Sequence, residues 1–302
     1  GIDYGGTKIE GILLDQNGKQ LERKRYSYER NYLSGIETVK KLVDEFDKIS
    51  EEACSVGIGI PGFSSRQTGI ITNANSLWLN DKPFKKDLEL ALSREVRLMN
   101  DANCFTLSEA VDGAGKDYKS IFGIIIGTGF GGGLSYNKSI IEGSNQIAGD
   151  WGHQPLPYPT KDEQEIKISC PSNNCGRPLC AEQFMSGIGF KDRFNQKHDT
   201  NFTSEEIVKL DLENDPRANL ELGLYEDRMA RLMAVMIGIF DPDAIILGGG
   251  MSNIDRFYKN IPSLIPKYTF SNKVETKVLK NFHGDSSGVR GAAWLWNNEQ
   301  YD

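Results

Sequence analysis

The pattern that most constrains the fold is a glycine-rich turn between two strands, which occurs once in each half of the chain. The first is Asp3-Tyr4-Gly5-Gly6-Thr7-Lys8, and the second is Gly127-Thr128-Gly129-Phe130-Gly131-Gly132-Gly133, directly after the apolar residues 121–126. Glycine at this density would weaken an ordinary strand, because glycine loses the most conformational freedom on folding. A ligand or a second chain segment that lies close to the backbone is the natural explanation. The repetition predicts an internal duplication.

Both turns are candidates for phosphate binding, because backbone N–H groups at paired glycines can approach phosphate oxygens closely. Thr7 adds a hydroxyl donor, Lys8 adds charge, and Asp3 is a candidate for holding Mg²⁺ through water. The alternative for the first turn is an ordinary hairpin. The second turn is neither a Walker loop nor a Rossmann turn, because no Gly-Lys-Ser/Thr follows and no helix begins there. Gly248-Gly249-Gly250 either cradles a nucleotide's sugar and base or is a tight strand–helix turn.

Strand and helix signals alternate along the chain, which predicts an α/β fold with parallel strand pairs. Helices are predicted after a capping box at Ser34 and Glu37 and after Asp215-Pro216, where proline stands at the first helical position. Residues 160–180 are predicted to be an irregular insertion. Further strands are predicted at 56–60, 96–99 and 244–247, and a closing helix at 288–296.

The polar, glycine-rich segment 112–116 is predicted to be a hinge between two domains. The predicted small domain comprises residues 1–115 and 288–302. The predicted large domain comprises residues 116–287 and carries the cysteine-rich loop.

Asn100-Asp101-Ala102-Asn103 stands where a strand ends and a helix begins. Asn and Asp both favour the N-cap position, so capping is one explanation for these residues. A functional carboxylate is the other, and both can hold through different residues of the four.

A metal site is predicted from Cys170, Cys175, Cys180 and, upstream, His153. Three thiolates and one imidazole complete the ligand set of a tetrahedral structural zinc site. The alternative is three unligated thiols in a loop. Residues 171–174 are polar and offer little apolar burial, which favours the metal.

The composition excludes several classes of protein. The net charge of −7 argues against nucleic-acid binding, since that affinity comes from clustered Lys and Arg. No apolar run approaches the ~18 residues that cross a bilayer, so no membrane partner is expected. Five cysteines among 302 residues do not indicate a disulfide scaffold, and a cytoplasmic protein is expected. The chain opens inside a motif, so a few residues are expected to precede Gly1.

Together the motifs resemble the ROK family of bacterial sugar kinases and repressors, in order and over essentially the whole chain. The matching segments are Asp3-Tyr4-Gly5-Gly6-Thr7-Lys8, Gly57-Ile58-Gly59-Ile60-Pro61-Gly62, Asn100-Asp101-Ala102-Asn103, Gly127-Thr128-Gly129, Gly152-His153, Cys175-Gly176 and Cys180-Ala181-Glu182.

The resemblance implies an actin-like (ribonuclease H-like) fold with two α/β domains around a central cleft, and a homodimer. It implies that Asp101 is the catalytic base and that Asn100, Asp150, His153 and Glu182 hold the sugar. Gly5, Gly6, Gly127, Thr128, Gly129 and Gly248-Gly249-Gly250 would contact ATP with Asp3, Thr7 and Lys8. Structural Zn²⁺ would be bound by His153, Cys170, Cys175 and Cys180, and Mg²⁺ would accompany ATP.

The chain departs from the family pattern at three places. Asp150 stands where the family has Glu, which makes the side chain one methylene shorter. Three extra residues separate Cys170 from Cys175, compared with the family's Cys-x-Cys-Gly. Leu179 replaces the glycine before the last cysteine, so the turn there is expected to differ.

The resemblance implies phosphorylation of a hexose 6-hydroxyl, and fructose, with mannose, is the first expectation for the sugar. This rests on similarity to bacterial manno(fructo)kinases. N-acetylglucosamine or glucose is the alternative within the family. A ROK-type sugar-responsive repressor ranks lowest, because the phosphate motif starts within the first residues and the chain is acidic. The stretches that resemble the manno(fructo)kinases are residues 73–80, 108–114 and 283–294.

Overall fold

Two mixed sheets with the same pattern of strand directions form the framework of the protein. The structure, a computed structural model, describes residues 1–166, 170–171, 175–284 and 287–297. Each sheet begins with an antiparallel hairpin around a glycine turn and continues with parallel strands, as the predicted duplication requires.

The first sheet has the order β3-β2-β1-β4-β7, and β1, β4 and β7 are parallel. Its strands are β1 (Ile2–Tyr4), β2 (Lys8–Leu14), β3 (Gln20–Ser27), β4 (Val56–Ile60) and β7 (Val96–Asn100). A small separate hairpin joins β5 (Phe63–Ser64) to β6 (Ile71–Thr72).

The second sheet has the order β10-β9-β8-β11-β12, and β8, β11 and β12 are parallel. Its strands are β8 (Ser120–Ile126), β9 (Phe130–Tyr136), β10 (Ser139–Ile140), β11 (Ala244–Gly248) and β12 (Lys277–Lys280).

The helices follow the predicted alternation. They are α1 (Tyr32–Ser50), α2 (Phe84–Leu92), α3 (Asp101–Val111), α4 (Lys161–Glu165), α5 (Ala181–Met185), α6 (Gly187–His198), α7 (Ser204–Leu212), α8 (Pro216–Phe240), α9 (Arg256–Leu264) and α10 (Ser287–Trp294), with 3₁₀ turns at Leu77–Leu79, Gly250–Asn253, Ile265–Lys267 and Leu295–Asn297. Within the described ranges, none of these helices has the length and apolarity needed to cross a membrane.

The chain forms two compact units. Unit 1 comprises 1–119, 133–148 and 282–302, and unit 2 comprises 120–132 and 149–281. The predicted break after residue 115 lies close to the first boundary. Segments 133–148 and 282–287, which the sequence places in the large domain, belong to unit 1.

The core of unit 1 lies on both faces of the first sheet. The apolar stripe of α1, with Val39, Leu42 and Phe46, is buried with the sheet residue Ile58. Helix α10 lies so close to β4 that a Cβ on Gly57 would be 2.0 Å from a helix carbonyl oxygen. The two faces together bury the parallel strands that carry the site residues at their ends.

The core of unit 2 is built around the long helix α8. Asp215 caps this helix and Pro216 stands at its first position, as predicted. The ring of Tyr225 on α8 stacks on Phe257 of α9, and its hydroxyl donates to the carbonyl oxygen of Met185, 2.7 Å away. The buried parallel strands β8 and β11 complete this core.

Three local predictions were wrong. The N-cap of α1 is Asn31, whose side chain accepts the Ser34 N–H, so no capping box forms at Ser34. The segment 160–180 begins with a helix, α4, with its own capping box of Thr160 and Glu163. Residues 248–250 lead into a 3₁₀ turn, and the next α-helix starts only at Arg256.

Candidate functional site

In unit 1, the first glycine turn rests on aromatic side chains. The Tyr28 hydroxyl donates to the carbonyl oxygen of Gly5 at 2.9 Å, and the Trp78 indole donates to the Tyr4 hydroxyl at 3.3 Å. The ring of Tyr4 meets that of Tyr28 edge-on at 5.4 Å. The turn residues 6–8 remain exposed above this buried support. Their backbone groups are therefore held in place from below while staying accessible.

Asp3 lies close enough to Asp101 within unit 1 for the charge of Asp101 to raise its pKa. Desolvation raises the pKa of Asp3 to about 7, with further increases from the charges of Asp101 and Glu10. Asp101 keeps contact with solvent at the start of α3, yet partial desolvation raises its pKa to about 6 against the hydrogen bond from the Ala102 N–H. Two carboxylates with raised pKa values are typical of a site for a cation or for proton transfer.

Asn100 serves the fold through both ends of its amide. Its Oδ1 caps α3 by accepting the Ala102 N–H at 3.0 Å, and its Nδ2 donates to the carbonyl oxygen of Gly62 at 3.2 Å. The capping interpretation therefore holds for Asn100, which leaves the adjacent Asp101 carboxylate for chemistry. One N–H and one lone pair of the amide are left for a ligand.

In unit 2, two of the predicted glycine turns lie at the carboxyl ends of neighbouring parallel strands. The turn 127–129 follows β8. Gly248 is the last residue of β11, in register with Ile125, and Gly249-Gly250 follow it. Gly249 has φ +80°, and a Cβ there would lie 2.4 Å from the carbonyl oxygen of Ile126. The carboxyl edge of a parallel sheet is where ligands bind in open α/β folds.

A short backbone pairing in unit 2 brings the predicted sugar and metal residues together. Leu156 N–H donates to the Leu179 carbonyl oxygen at 2.7 Å, and Glu182 N–H donates to that of Gly152 at 2.7 Å. A Cβ on Gly152 would lie 1.8 Å from the carbonyl oxygen of Phe130, so only glycine fits. The pairing places His153 beside the start of α5.

His153, Cys170, Cys175 and Cys180 form one cluster, with ligand atoms all within 4.8 Å of one another. The Sγ atom of Cys180 lies 3.5 Å from the Sγ atoms of Cys170 and Cys175 and 3.4 Å from His153 Nδ1. A tetrahedral zinc ion with bonds of about 2.3 Å to sulfur has ligands about 3.5–3.8 Å apart. The donor set therefore fits a structural zinc ion.

The two departures in the cysteine loop do not prevent this clustering. Cys170 joins it despite its longer spacing to Cys175, within which residues 172–174 lie outside the described residues. Leu179 takes the left-handed conformation, with φ +53°. That the turn differs from the family's stays a prediction. The hydrogen bond to Leu156 and the bridge of Cys180 to Pro155 fix the backbone there, so leucine carries strain that glycine would avoid.

Glu182 is buried, with 5% exposure, between the metal cluster and the second glycine turn. Its Oε2 accepts the Phe130 N–H at 3.1 Å, and the Cys170 thiol donates to its Oε1 at 3.4 Å. Desolvation raises the pKa of the Asp150 carboxyl. The charge of His153 lowers this pKa, and the charge of Glu182 raises it. The structure thus brings Asp150, His153 and Glu182 together.

One feature that supports the site was not anticipated from the sequence. Glu163 on α4, just before the cysteine loop, is buried between Arg228 and Arg231 of α8 at 2.7 Å from each. Arg231 also donates to the carbonyl oxygens of Pro157 and Tyr158. The only sequence signal was the capping box of Thr160 and Glu163, which marks a helix start and not a buried ion pair.

Comparison with known proteins identifies relatives across the full chain. A model of the ROK family matches residues 1–299. An N-acetyl-D-glucosamine kinase of Yersinia pseudotuberculosis serotype O:1b is 35% identical over 296 residues, which cover 98% of this chain and 97% of that protein.

Two solved structures share the fold at 23% identity. A ROK hexokinase of Thermus thermophilus has a TM-score of 0.84, covering 97% of this chain and 95% of that one. A ROK family glucokinase of Streptomyces griseus has a TM-score of 0.79, covering 98% and 97%.

Proposed function

Since this chain belongs to the ROK family, we propose that it is a sugar kinase that transfers the γ-phosphoryl group of ATP to the 6-hydroxyl of N-acetyl-D-glucosamine. The observation that carries the proposal is the 35% identity to a kinase of that sugar across 98% of the chain. The motifs alone favour fructose, with N-acetylglucosamine among the alternatives, and the identity to N-acetylglucosamine kinases supports the alternative better. The actin-like α/β fold that the resemblance implied is confirmed.

Asp101 is the proposed catalytic base. The sugar O6 forms a bond to the γ-phosphorus, the bond from that phosphorus to the bridging oxygen of ADP breaks, and the O6 proton passes to Asp101. The transition state of phosphoryl transfer is loose, so aligning the hydroxyl matters more than its early deprotonation. A pKa of about 6 places Asp101 nearer to neutral pH than an ordinary aspartate, which suits a base that accepts its proton late.

The proposed nucleotide contacts come from backbone N–H groups of the three glycine turns, with Thr7, Lys8 and Thr128. Asp3 fits a magnesium site, because burial and then repulsion from Asp101 disfavour its charged form, and a cation would compensate both. Magnesium, when bound, neutralises charge on the triphosphate. Asp3 would hold it through water, and Asp101 would remain directed to the sugar.

The proposed sugar contacts are those of Asn100, Asp150, His153 and Glu182. His153 shares its cluster with three cysteines, so zinc there would fix the imidazole and the start of α5 in one geometry. Zinc would be structural, because the four protein ligands leave no open position. The residues of this chain, and not the metal, would contact the sugar.

The three segments that resemble the manno(fructo)kinases, 73–80, 108–114 and 283–294, contain residues that make structural contacts within unit 1. His283 Nε2 lies 2.8 Å from Asp112 Oδ1, and Arg290 binds both the Asp112 carboxylate and the carbonyl oxygen of Gly18. Trp78 supports Tyr4 beneath the first glycine turn. These residues are thus accounted for by packing, which weakens them as evidence for a particular sugar.

The test is a coupled ADP-release assay with N-acetylglucosamine, glucose, mannose and fructose at matched concentrations. We expect the highest kcat/KM for N-acetylglucosamine, because a site that hydrogen-bonds the acetamido group would lose those bonds with sugars that lack it. A kcat/KM for fructose or mannose tenfold above that for N-acetylglucosamine would restore the first expectation from the sequence.

A second readout separates a kinase from a sugar-responsive repressor. Sugar binding measured by calorimetry, with no ADP release from any hexose, would reject the kinase proposal altogether. ADP release that depends on a hexose would reject the repressor.

A further inference from the structure

We propose that Glu182 positions the second glycine turn for the nucleotide, in addition to the sugar contact assigned to it under the proposed function. Its carboxylate would fix the backbone of residues 127–130 and so connect the sugar side of unit 2 to the phosphate side. The inference rests on the proposed function for the identity of both ligands.

The turn is held from outside at both of its ends by one continuous segment. At its end, the Phe130 N–H donates to Glu182 Oε2 at 3.1 Å. At its start, the Gly127 carbonyl oxygen accepts the Gly187 N–H at 2.8 Å. Glu182 and Gly187 lie at the two ends of the stretch formed by α5 and the start of α6, so movement of this stretch would move the turn.

The carboxylate is packed directly on the turn. A Cβ on Gly129 would lie 3.1 Å from Glu182 Oε2, so a side chain at 129 would crowd the carboxylate that accepts the Phe130 N–H. Inside the turn, the Gly127 N–H bonds to the Gly129 carbonyl oxygen at 3.0 Å. The hydrogen bonds at Gly127 and Phe130 join it to the segment 182–187.

A buried negative charge behind a phosphate-binding turn would by itself weaken nucleotide binding, since like charges repel in a low dielectric. Its hydrogen bond to the turn acts in the opposite direction by ordering the backbone donors before the ligand arrives. Charge and hydrogen bond can be separated by substitution. Glutamine keeps an oxygen that accepts the Phe130 N–H and removes the charge, whereas alanine removes both.

The experiment measures the affinity of a non-hydrolysable ATP analogue with Mg²⁺, in the absence of sugar, for wild type, Glu182→Gln and Glu182→Ala. We expect Glu182→Gln to bind at least as tightly as wild type. We expect Glu182→Ala to bind about tenfold more weakly than Glu182→Gln, the effect of losing about one hydrogen bond. Equal affinity of the alanine and glutamine variants would overturn the proposal.

Glu165→Ala is the matched control. Glu165 is another glutamate of unit 2, its side chain is exposed on α4, and it is assigned no contact with sugar or nucleotide. The loss of this carboxylate should leave sugar-free nucleotide affinity unchanged. A tenfold loss in Glu165→Ala as large as that in Glu182→Ala would contradict a specific role for Glu182.

A measurement on wild type avoids any folding defect or zinc loss in the alanine variant. We expect N-acetylglucosamine alone to slow hydrogen exchange of the Phe130 amide at least threefold, because a sugar that fixes Glu182 also fixes its hydrogen bond to that amide. Unchanged exchange at saturating sugar would refute the coupling. Wild type that binds no nucleotide at all would instead refute the proposed function.

Discussion

The buried ion pair of Glu163 with two arginines is the most direct place to test how the cysteine loop is held. The substitution is Glu163→Gln, which removes the charge but keeps an oxygen for the capping hydrogen bond from the Thr160 N–H. Arg228 and Arg231 would then be buried, at 3% and 2% exposure, without their shared carboxylate.

The magnitude follows from the pKa of Glu163. Burial alone would raise this pKa, but hydrogen bonds from Arg231, the Thr160 N–H and Arg228 lower it from 4.5 to about 2. A shift of that size corresponds to about 3 kcal/mol of stability at pH 7. Breaking a buried ion pair by removing one partner costs about 3–5 kcal/mol, so the two values agree.

The sign of the pH dependence is fixed because the pKa is lower in the folded state. The stabilisation is fully present above pH 4.5 and is lost as the pH falls from there towards 2. The free-energy difference between wild type and Glu163→Gln should therefore shrink by about 2 kcal/mol between pH 7 and pH 3.

Hydrogen exchange of amides in α8 is the appropriate assay, because it reports the opening of unit 2 separately from unit 1. The control is Glu165→Gln, on the same helix but exposed, which should change the opening free energy by less than about 0.5 kcal/mol. A difference below about 1 kcal/mol for Glu163→Gln at pH 7, or one that is the same at pH 3, would refute the reasoning.

Three further predictions concern the site itself. Because Asp101 must be deprotonated to act as the base, kcat/KM should fall as the pH drops below 6. Asp101→Asn should lower kcat at least about 10²-fold while the variant still binds sugar. Retained turnover in this variant would remove Asp101 from the role of base. Cys175→Ser should lose the roughly one zinc per chain expected from metal analysis, whereas fully active wild type without zinc would refute a structural metal. Gly249→Ala should lower the melting temperature, because it forces a side chain into a backbone with φ +80° beside Ile126. Gly250→Ala should leave the melting temperature unchanged, because a Cβ there would point into open space. Equal melting temperatures of the two variants would contradict this.

Features set by neighbouring residues were predictable from the sequence. Asp215-Pro216 correctly predicted the start of α8, because a cap and a proline at the first helical position both act within one turn. The start of α1 was misplaced because Asn31 and Ser34 are both good caps, and only the structure decides which side chain reaches an N–H group.

Residue types were enough to propose the metal ligands, but not the contacts that support them. The chemistry of His153 and the three cysteines indicated the cluster regardless of the loop length between them. The pairing of Glu163 with Arg231 joins residues far apart in the chain, and no local pattern marks it. Likewise, the strain at Leu179 is visible only in its φ angle, because leucine in a sequence predicts no left-handed backbone.

The path of the chain through the two units has a consequence for synthesis on the ribosome. Unit 2 ends at Asn281, whereas unit 1 needs its final stretch, 282–302, which includes α10. A Cβ on Gly291 of that helix would lie 1.6 Å from the carbonyl oxygen of Cys104, so α10 seats directly against α3. The unit whose residues emerge first is therefore the last to be completed. Its sheet, whose five strands lie within residues 2–100, stays uncovered on the side of α10 until that closing helix has been translated.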